Sequence, residues 1–293
     1  RDAISLQRFA GNGNRILLMD GNEQRRVKVG AKCIDQANAT QEQTASSNLA
    51  TTNLAVSNAM IDHLIVATKT HQTEAAINAI AARLAPDANI VLLQNGMGTQ
   101  QKISNALPQH NVWIGVSTEG AFTPEYFTVQ QAGHGITRIG SLRATTTDIN
   151  SLLQSLRCAL PITAESDIEA ALWQKLLINC AINPLTAIYR CRNGALLTDA
   201  TRHGHMQAVC AELVQLANAM NRADLGENLL EHAAAVAKAT AENRSSMLTD
   251  IEENRITEIE SITGFVCNEA KRYGLTLPDN QQLLERIRAM HPH

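Results

Sequence analysis

The sequence predicts an α/β Rossmann-like, doubly wound domain followed by an all-helical carboxyl-terminal domain. Three observations lead there. Runs rich in Val, Ile and Leu alternate with helical stretches through the first half, the pattern of a largely parallel sheet covered on both faces. After about Asp167 helical periodicity takes over and no further convincing strand follows. The segment Leu172 to Thr186 is apolar almost all round, yet it carries Lys175, Asn179 and Asn183 at a spacing of four. The boundary falls near Pro161 to Ser166, which divides the chain into residues 1–163 and 164–293.

Element by element, Ala3 to Arg8 reads as a short strand. Arg15 to Met19 and Arg25 to Val29 read as a hairpin around the turn signal Asp20-Gly21-Asn22. Ser46 to Met60 is Ala-rich and low in charge, as a helix would be. Ile61 to Ala67 reads as a buried strand, with a helix from about His71 to Leu84. Asn89 to Leu93 repeats the strand pattern and ends in Gln94-Asn95-Gly96-Met97-Gly98. Val112 to Val116 is a further strand, and Phe127 to Gln130 with Ile136 to Ile139 suggests a second hairpin. In the second half Gly194, Gly226 and Gly274 to Pro278 punctuate the helices. A helix from Ile251 would line Ile259, Ile262 and Val266 along one apolar face, with Glu258 bordering that face.

Composition narrows the function. Hydrophobic residues make up 44% and charged residues 18%, the balance of a filled core. A net charge of −3 and 3% aromatic residues argue against nucleic-acid binding, which needs basic surface and stacking platforms. No run approaches a membrane span and no secretory signal is visible, so a cytoplasmic protein is expected. The six cysteines are scattered without metal-type pairing, as reduced thiols acting as small hydrophobes. The nine histidines show no ligand pairing either, so no metal is expected.

Five places along the chain carry candidate chemistry. Positions 175, 179 and 183 fall within about 80° of one another at helical pitch. A cation and two amides on one side of a buried helix need partners. They either line a cleft that binds something polar, or Lys175 reaches water while the amides satisfy loop backbone. Asn95 and Gly96 follow a buried strand, where doubly wound folds bind ligands, and Lys69 sits past the preceding strand at the same edge. Arg8 ends the first visible strand, the place where dinucleotide folds read the adenosine ribose and where Arg accommodates a 2′-phosphate. Asn243 to Asp250 places Ser245 and Ser246 before a helix, as a cap or as a hydroxyl facing an anion. Glu258 is either a solvated acid in an acidic run or a carboxylate at the edge of the buried face.

Taken in order, Lys69, Asn95-Gly96-Met97-Gly98, Lys175-x-x-x-Asn179-x-x-x-Asn183-Pro184-Leu185-Thr186, Asn243-x-Ser245-Ser246-Met247-x-x-Asp250 and Thr257-Glu258-Ile259 resemble the ketopantoate reductases (2-dehydropantoate 2-reductases). The resemblance runs from about Arg8 to Pro278, and the lysine helix and the Asn-x-Ser-Ser-Met segment are its specific parts. It implies NADPH-dependent reduction of 2-dehydropantoate to pantoate by a monomer or homodimer. Under it Lys175 is the general acid and Glu258 its carboxylate partner. Asn179, Asn183, Asn243 and Ser246 hold the substrate, and Arg8, Lys69, Asn95 and Gly96 meet the cofactor. Glu260 and Thr263-Gly264 depart mildly from the family pattern. The Gly-x-Gly-x-x-Gly turn that cradles a pyrophosphate is absent, so the first strand, turn and helix are expected to be missing in front of Arg8. Alternatives are another 2-keto or 3-hydroxy acid dehydrogenase of the same two-domain plan, or a non-catalytic remnant without a phosphate loop.

Overall fold

The computed structural model describes residues 15–20, 23–28, 60–156 and 161–291. The expected strand at Ala3 to Arg8, Arg8 itself, and most of the expected helix at Ser46 to Met60 lie outside the described residues. The first described elements are β1 (Arg15–Asp20) and β2 (Glu23–Lys28), an antiparallel pair whose last bridge joins Asp20 to Glu23. This is the hairpin that the turn signal predicts.

The main sheet is built by β-α-β crossovers. Strand β3 (Ile61–Val66), helix α1 (Thr70–Asn78), strand β4 (Leu84–Leu92), helix α2 (Thr99–Ala106) and strand β5 (Asn111–Ser117) follow in sequence. β3, β4 and β5 are mutually parallel, as such crossovers require. Strand β8 (Thr137–Gly140) adds to β5 antiparallel and β9 (Ile162–Ala164) adds to β8, giving the order β3-β4-β5-β8-β9. Alternation along the central strands loads both faces. Ile90, Leu92, Val112, Ile114 and Val116 pack with Ile77 of α1 and Ile103 of α2. Val91, Trp113 and Ile139 pack on the other face against Leu152 of helix α3 (Ile149–Ser155). Trp113 can be buried because its indole N–H donates to Asn89 Oδ1 at 2.9 Å.

Three expectations are corrected. Ile61 to Ala67 is not a wholly buried strand. β3 is the last strand on its side of the sheet among the described residues, and Ile65 is 55% exposed there. Phe127 to Gln130 and Ile136 to Ile139 do not form a hairpin. Strand β7 (Thr128–Gly133) pairs with β1 and with β6 (Gly120–Phe122) in a separate four-stranded sheet, whereas β8 joins the main sheet. Between them Gly135 lies so close to Thr118 that a Cβ would meet its backbone carbon at 2.4 Å, so the chain passes from one sheet to the other there. The third correction concerns Glu258 and is described with the site.

The carboxyl-terminal part is helical throughout its described residues. Its centre is α4 (Ile168–Tyr189), whose amino end is capped by Asp167 through the Ala170 N–H at 2.9 Å. Leu177, Cys180, Ala181 and Leu185 are fully buried, and Trp173 packs its ring against Phe265 at 5.6 Å. Around α4 stand α5 (Ala195–Thr198), α6 (Ala200–Ala219), α7 (Ala223–Gly226), α8 (Leu229–Ala239), α9 (Ser246–Glu252), α10 (Thr263–Arg272) and α11 (Pro278–Ala289). Ile168, Ala171 and Leu172 at the start of α4 also belong to the core of the main sheet, so this one helix joins the two parts. Cys180, Cys191, Cys210 and Cys267 are free thiols. Burial pushes Cys267 up to about 11 and Cys210 to about 12, and holds both as neutral apolar groups. Among the described residues no helix is long and apolar enough to cross a membrane.

Candidate active site

A cleft opens where the main sheet meets α4. Gln94, Asn95 and Gly96 at the end of β4, Gly115 and Val116 near the end of β5, and Leu172, Lys175 and Leu176 of α4 line it. It lies at the carboxyl ends of neighbouring parallel strands, the position at which doubly wound sheets hold ligands. Gly96 adopts φ +79°, and a Cβ there would meet Ser261 O at 2.3 Å. Only glycine fits, and the fit lets the Met97 N–H donate to Ser261 O at 2.8 Å, stitching the β4 end to the helical part.

Lys175 makes no hydrogen bond or ion pair among the described residues, in a cleft walled by leucines and glycine. Burial pushes its ammonium below the ordinary lysine range, and the negative charge of Glu258 works the other way. One and two turns further on, Asn179 is half-buried and Asn183 is 9% exposed. Neither side-chain amide has a hydrogen-bond partner among the described residues. The stripe then closes at Thr186, whose hydroxyl donates to Asn183 O at 2.9 Å and lies 2.7 Å from Ser245 Oγ.

That contact fixes the Asn243 to Asp250 segment. Ser245 is the cap of α9, accepting the Leu248 N–H at 3.0 Å. Ser246 is the first helical residue. It is exposed and its hydroxyl is uncommitted among the described residues. Asn243 is held through its backbone carbonyl, which accepts from the Asn193 N–H at 3.1 Å, leaving its side chain unbonded among the described residues. The division of labour between neighbouring serines is not visible in sequence, where either is an equally good cap.

Glu258 is 9% exposed, but it does not lie on a helix that starts at Ile251. α9 ends at Glu252, Asn254 turns the chain at φ +53°, and α10 starts only at Thr263. The expected burial of Ile259, Ile262 and Val266 holds, because the turns between the helices still fold these side chains inward. Glu258 is gripped by the α/β part. One carboxylate oxygen accepts the Thr70 N–H at 3.1 Å and the other accepts from Asn95 Nδ2 at 3.3 Å. Thr70 Oγ1 lies 3.2 Å from Ser261 Oγ beside them.

Lys69 stands at the same junction but is engaged. Its ammonium pairs with the nearly buried Asp250 at 2.6 Å and donates to Ile256 O at 3.0 Å. Asp250 also accepts from Arg255 Nε at 3.1 Å. Sequence reasoning places Lys69 near a ligand and misses this ion pair, since Asp250 is a helix residue far along the chain with no local signal. Arg8 lies outside the described residues. Among the described residues no cluster of His, Cys, Asp or Glu gathers as a metal site would.

A doubly wound sheet with a cleft at its strand ends, walled by a half-buried lysine from a helical domain, is the plan of a two-domain oxidoreductase. Two family profiles match the sequence: "Ketopantoate reductase PanE/ApbA" over residues 3–144 and "Ketopantoate reductase PanE/ApbA C terminal" over residues 167–291. A 2-dehydropantoate 2-reductase of Yersinia pestis is 38% identical over 77% of this chain and 73% of its own length. That of Escherichia coli O157:H7 is 36% identical over 78% of this chain and 73% of its own length. The crystal structure of a probable 2-dehydropantoate 2-reductase of Bacillus subtilis superposes with a TM-score of 0.71 at 27% identity, covering 99% of this chain and 90% of that one. The chain belongs to the ketopantoate reductase family.

Proposed function

We propose that this protein reduces 2-dehydropantoate to pantoate with NADPH, taking residues 1–163 as the cofactor domain and 164–293 as the substrate domain, and that it works in the cytoplasm as a monomer or homodimer. The observation that carries the reading is the unspent polar capacity around one buried helix. The side chains of Lys175, Asn179, Asn183, Asn243 and Ser246 have no partners among the described residues; Asn183 is buried, Lys175, Asn179 and Asn243 are half-buried and Ser246 is exposed, so their polar ends are free to meet a ligand. A small acid with a carbonyl and a hydroxyl can satisfy them together.

The cleft fits a nicotinamide cofactor on one count visible in the structure: it lies at the carboxyl ends of the adjoining parallel strands β4 and β5 and carries the polar groups of Gln94, Asn95 and Lys175 on its walls. Asn95 and Gly96 would flank it, and Lys69 would reach it by exchanging Asp250 for an anionic group. Arg8 would meet the 2′-phosphate. When bound, NADPH supplies the hydride that converts the C2 carbonyl to an alcohol.

The chain's own residues do the rest. Asn179, Asn183 and Ser246 hold the substrate's carboxylate and hydroxyl, with Asn243 beside them, and so orient the carbonyl. As charge develops on the carbonyl oxygen, the Lys175 ammonium stands against it and passes a proton from Nζ to that oxygen. Burial eases loss of this proton, while Glu258 keeps enough positive charge on the resting amine.

Lys175→Ala should lower turnover by roughly 10²–10⁴-fold, the scale of a lost positioned acid, with the thermal transition retained. The test follows loss of reduced-nicotinamide absorbance with 2-dehydropantoate and with a panel of other 2-keto acids. Near-normal turnover of the variant would remove Lys175 from the chemistry, and a better substrate in the panel would replace 2-dehydropantoate.

A further inference from the structure

Gln94 is the last residue of the β4 end before Asn95, and nothing above uses it. It borders the same cleft as Lys175 and is 4% exposed. Its amide nitrogen donates to two carbonyls at the end of β3, Val66 O at 2.9 Å and Thr68 O at 3.3 Å. Those two acceptors decide the orientation of the amide, because the flipped rotamer would set oxygen against oxygen. Oε1 is therefore fixed as the outward acceptor. It is buried and has no partner among the described residues. Lys175, half-buried, lines the same cleft, and its three N–H donors have no acceptor among the described residues. A fixed buried acceptor and an unmet donor on the walls of one narrow cleft are complementary.

We propose that Gln94 is a positioning residue for Lys175: its Oε1 accepts one ammonium N–H when the site is loaded and aims the remaining N–H groups at the substrate oxygen. The proposal rests on the reading of Lys175 as the group that meets that oxygen. A hydrogen bond to the charged form holds the amine protonated, in the same sense as Glu258. Among the described residues, Glu258, on the loop between α9 and α10, is the charged group whose field shifts Lys175. The other cleft walls, from β4, β5 and α4, carry no titratable side chain.

Two variants separate this role from the structural one of tying β4 to β3. Gln94→Met removes acceptor and donor together. Gln94→Glu keeps an oxygen toward the cleft but sets the other against the Val66 and Thr68 carbonyls. Activity needs protonated Lys175, so the alkaline limb of kcat marks its titration. Gln94→Met should lower kcat about tenfold or more with KM for NADPH unchanged, the scale of one hydrogen bond to a charged group, and move the alkaline limb to lower pH. Gln94→Glu should move that limb to higher pH, although its thermal stability falls. Competitive acetylation of Lys175, read by mass spectrometry against pH, follows the same titration without any turnover and should shift in the same two directions. Both variants matching the wild-type titration, or both shifting downward, would overturn the proposal. If Gln94→Met does not fold, Gln94→Glu decides alone: an unmoved or lowered titration refutes it. A wild-type enzyme that ignores 2-dehydropantoate, or a fully active Lys175→Ala, condemns the functional reading instead, and the acetylation result still judges the Gln94 contact.

Discussion

Replacing Glu258 by Gln tests the electrostatic core of the site. The change keeps the shape of the side chain and removes its charge. No ion pair joins Glu258 to Lys175, so the two charges act through intervening groups. At an effective dielectric of about 20, two unit charges about 5–8 Å apart attract by roughly 2–3 kcal/mol, which sets the scale of the effect. That attraction favours the ammonium form, so its loss allows burial to depress Lys175 further. The direction of the pH effect follows. Activity is present while Lys175 holds its proton and is lost as pH rises through its pKa, so the alkaline limb of the Glu258→Gln profile should lie at lower pH than in the parent. On that limb kcat should fall by up to roughly 10²-fold, the attraction expressed as a protonation equilibrium. Stability should change little, by about 1 kcal/mol, because Gln keeps an oxygen for the Thr70 N–H while Asn95 must turn its amide to pair again. The assay is kcat against pH at saturating cofactor, with a thermal melt on the same sample. An alkaline limb that stays in place or moves to higher pH would refute the assignment of Glu258 as the group that holds Lys175 charged.

Two further perturbations separate structure from binding. Gly96→Ala should destabilise the protein by about 1–3 kcal/mol and raise KM, because the new methyl meets Ser261 O at 2.3 Å and displaces the Met97 contact. An unchanged melting temperature would show that the strand end yields. Ser245→Ala should cost about 1–2 kcal/mol of stability through the lost cap and the lost Thr186 contact, with substrate affinity little affected. Ser246→Ala should do the reverse, weakening 2-keto acid binding by about 1–3 kcal/mol at unchanged stability. Calorimetry and a melt on each variant distinguish the pair, and matching profiles would remove Ser246 from the substrate site.

What was legible in the sequence followed the reach of local signals. The β1–β2 hairpin pairing, the β-α-β alternation and the run of Lys175, Asn179 and Asn183 along one helix are periodic or local, and the structure places them as read. Glu258 was found as a carboxylate at a buried edge but set on the wrong element. Ile251, Ile259, Ile262 and Val266 keep a near-helical spacing, but the chain leaves the helix after Glu252, turns through αL at Asn254 and becomes helical again only at Thr263. The misread second hairpin has a similar origin: Gly133 and Gly135 look like a turn, whereas they carry the chain between two sheets. The pairing of Lys69 with Asp250, the grip of Thr70 and Asn95 on Glu258, and the choice of Ser245 over Ser246 as cap depend on residues brought together by folding. No window of sequence contains both partners.

The placement of Glu258 makes it a tie between the two lobes. The carboxylate belongs to the helical lobe, but the groups that hold it, the Thr70 N–H and Asn95, belong to the sheet lobe, and the Ser261 to Met97 bond seals the same seam. Any parting of the lobes frees the acid to turn toward water, while Lys175 stays among its leucines on α4 without a fixed counter-charge. Glu258 is thus placed by the lobe it does not belong to, and a change on either side of the seam reaches it.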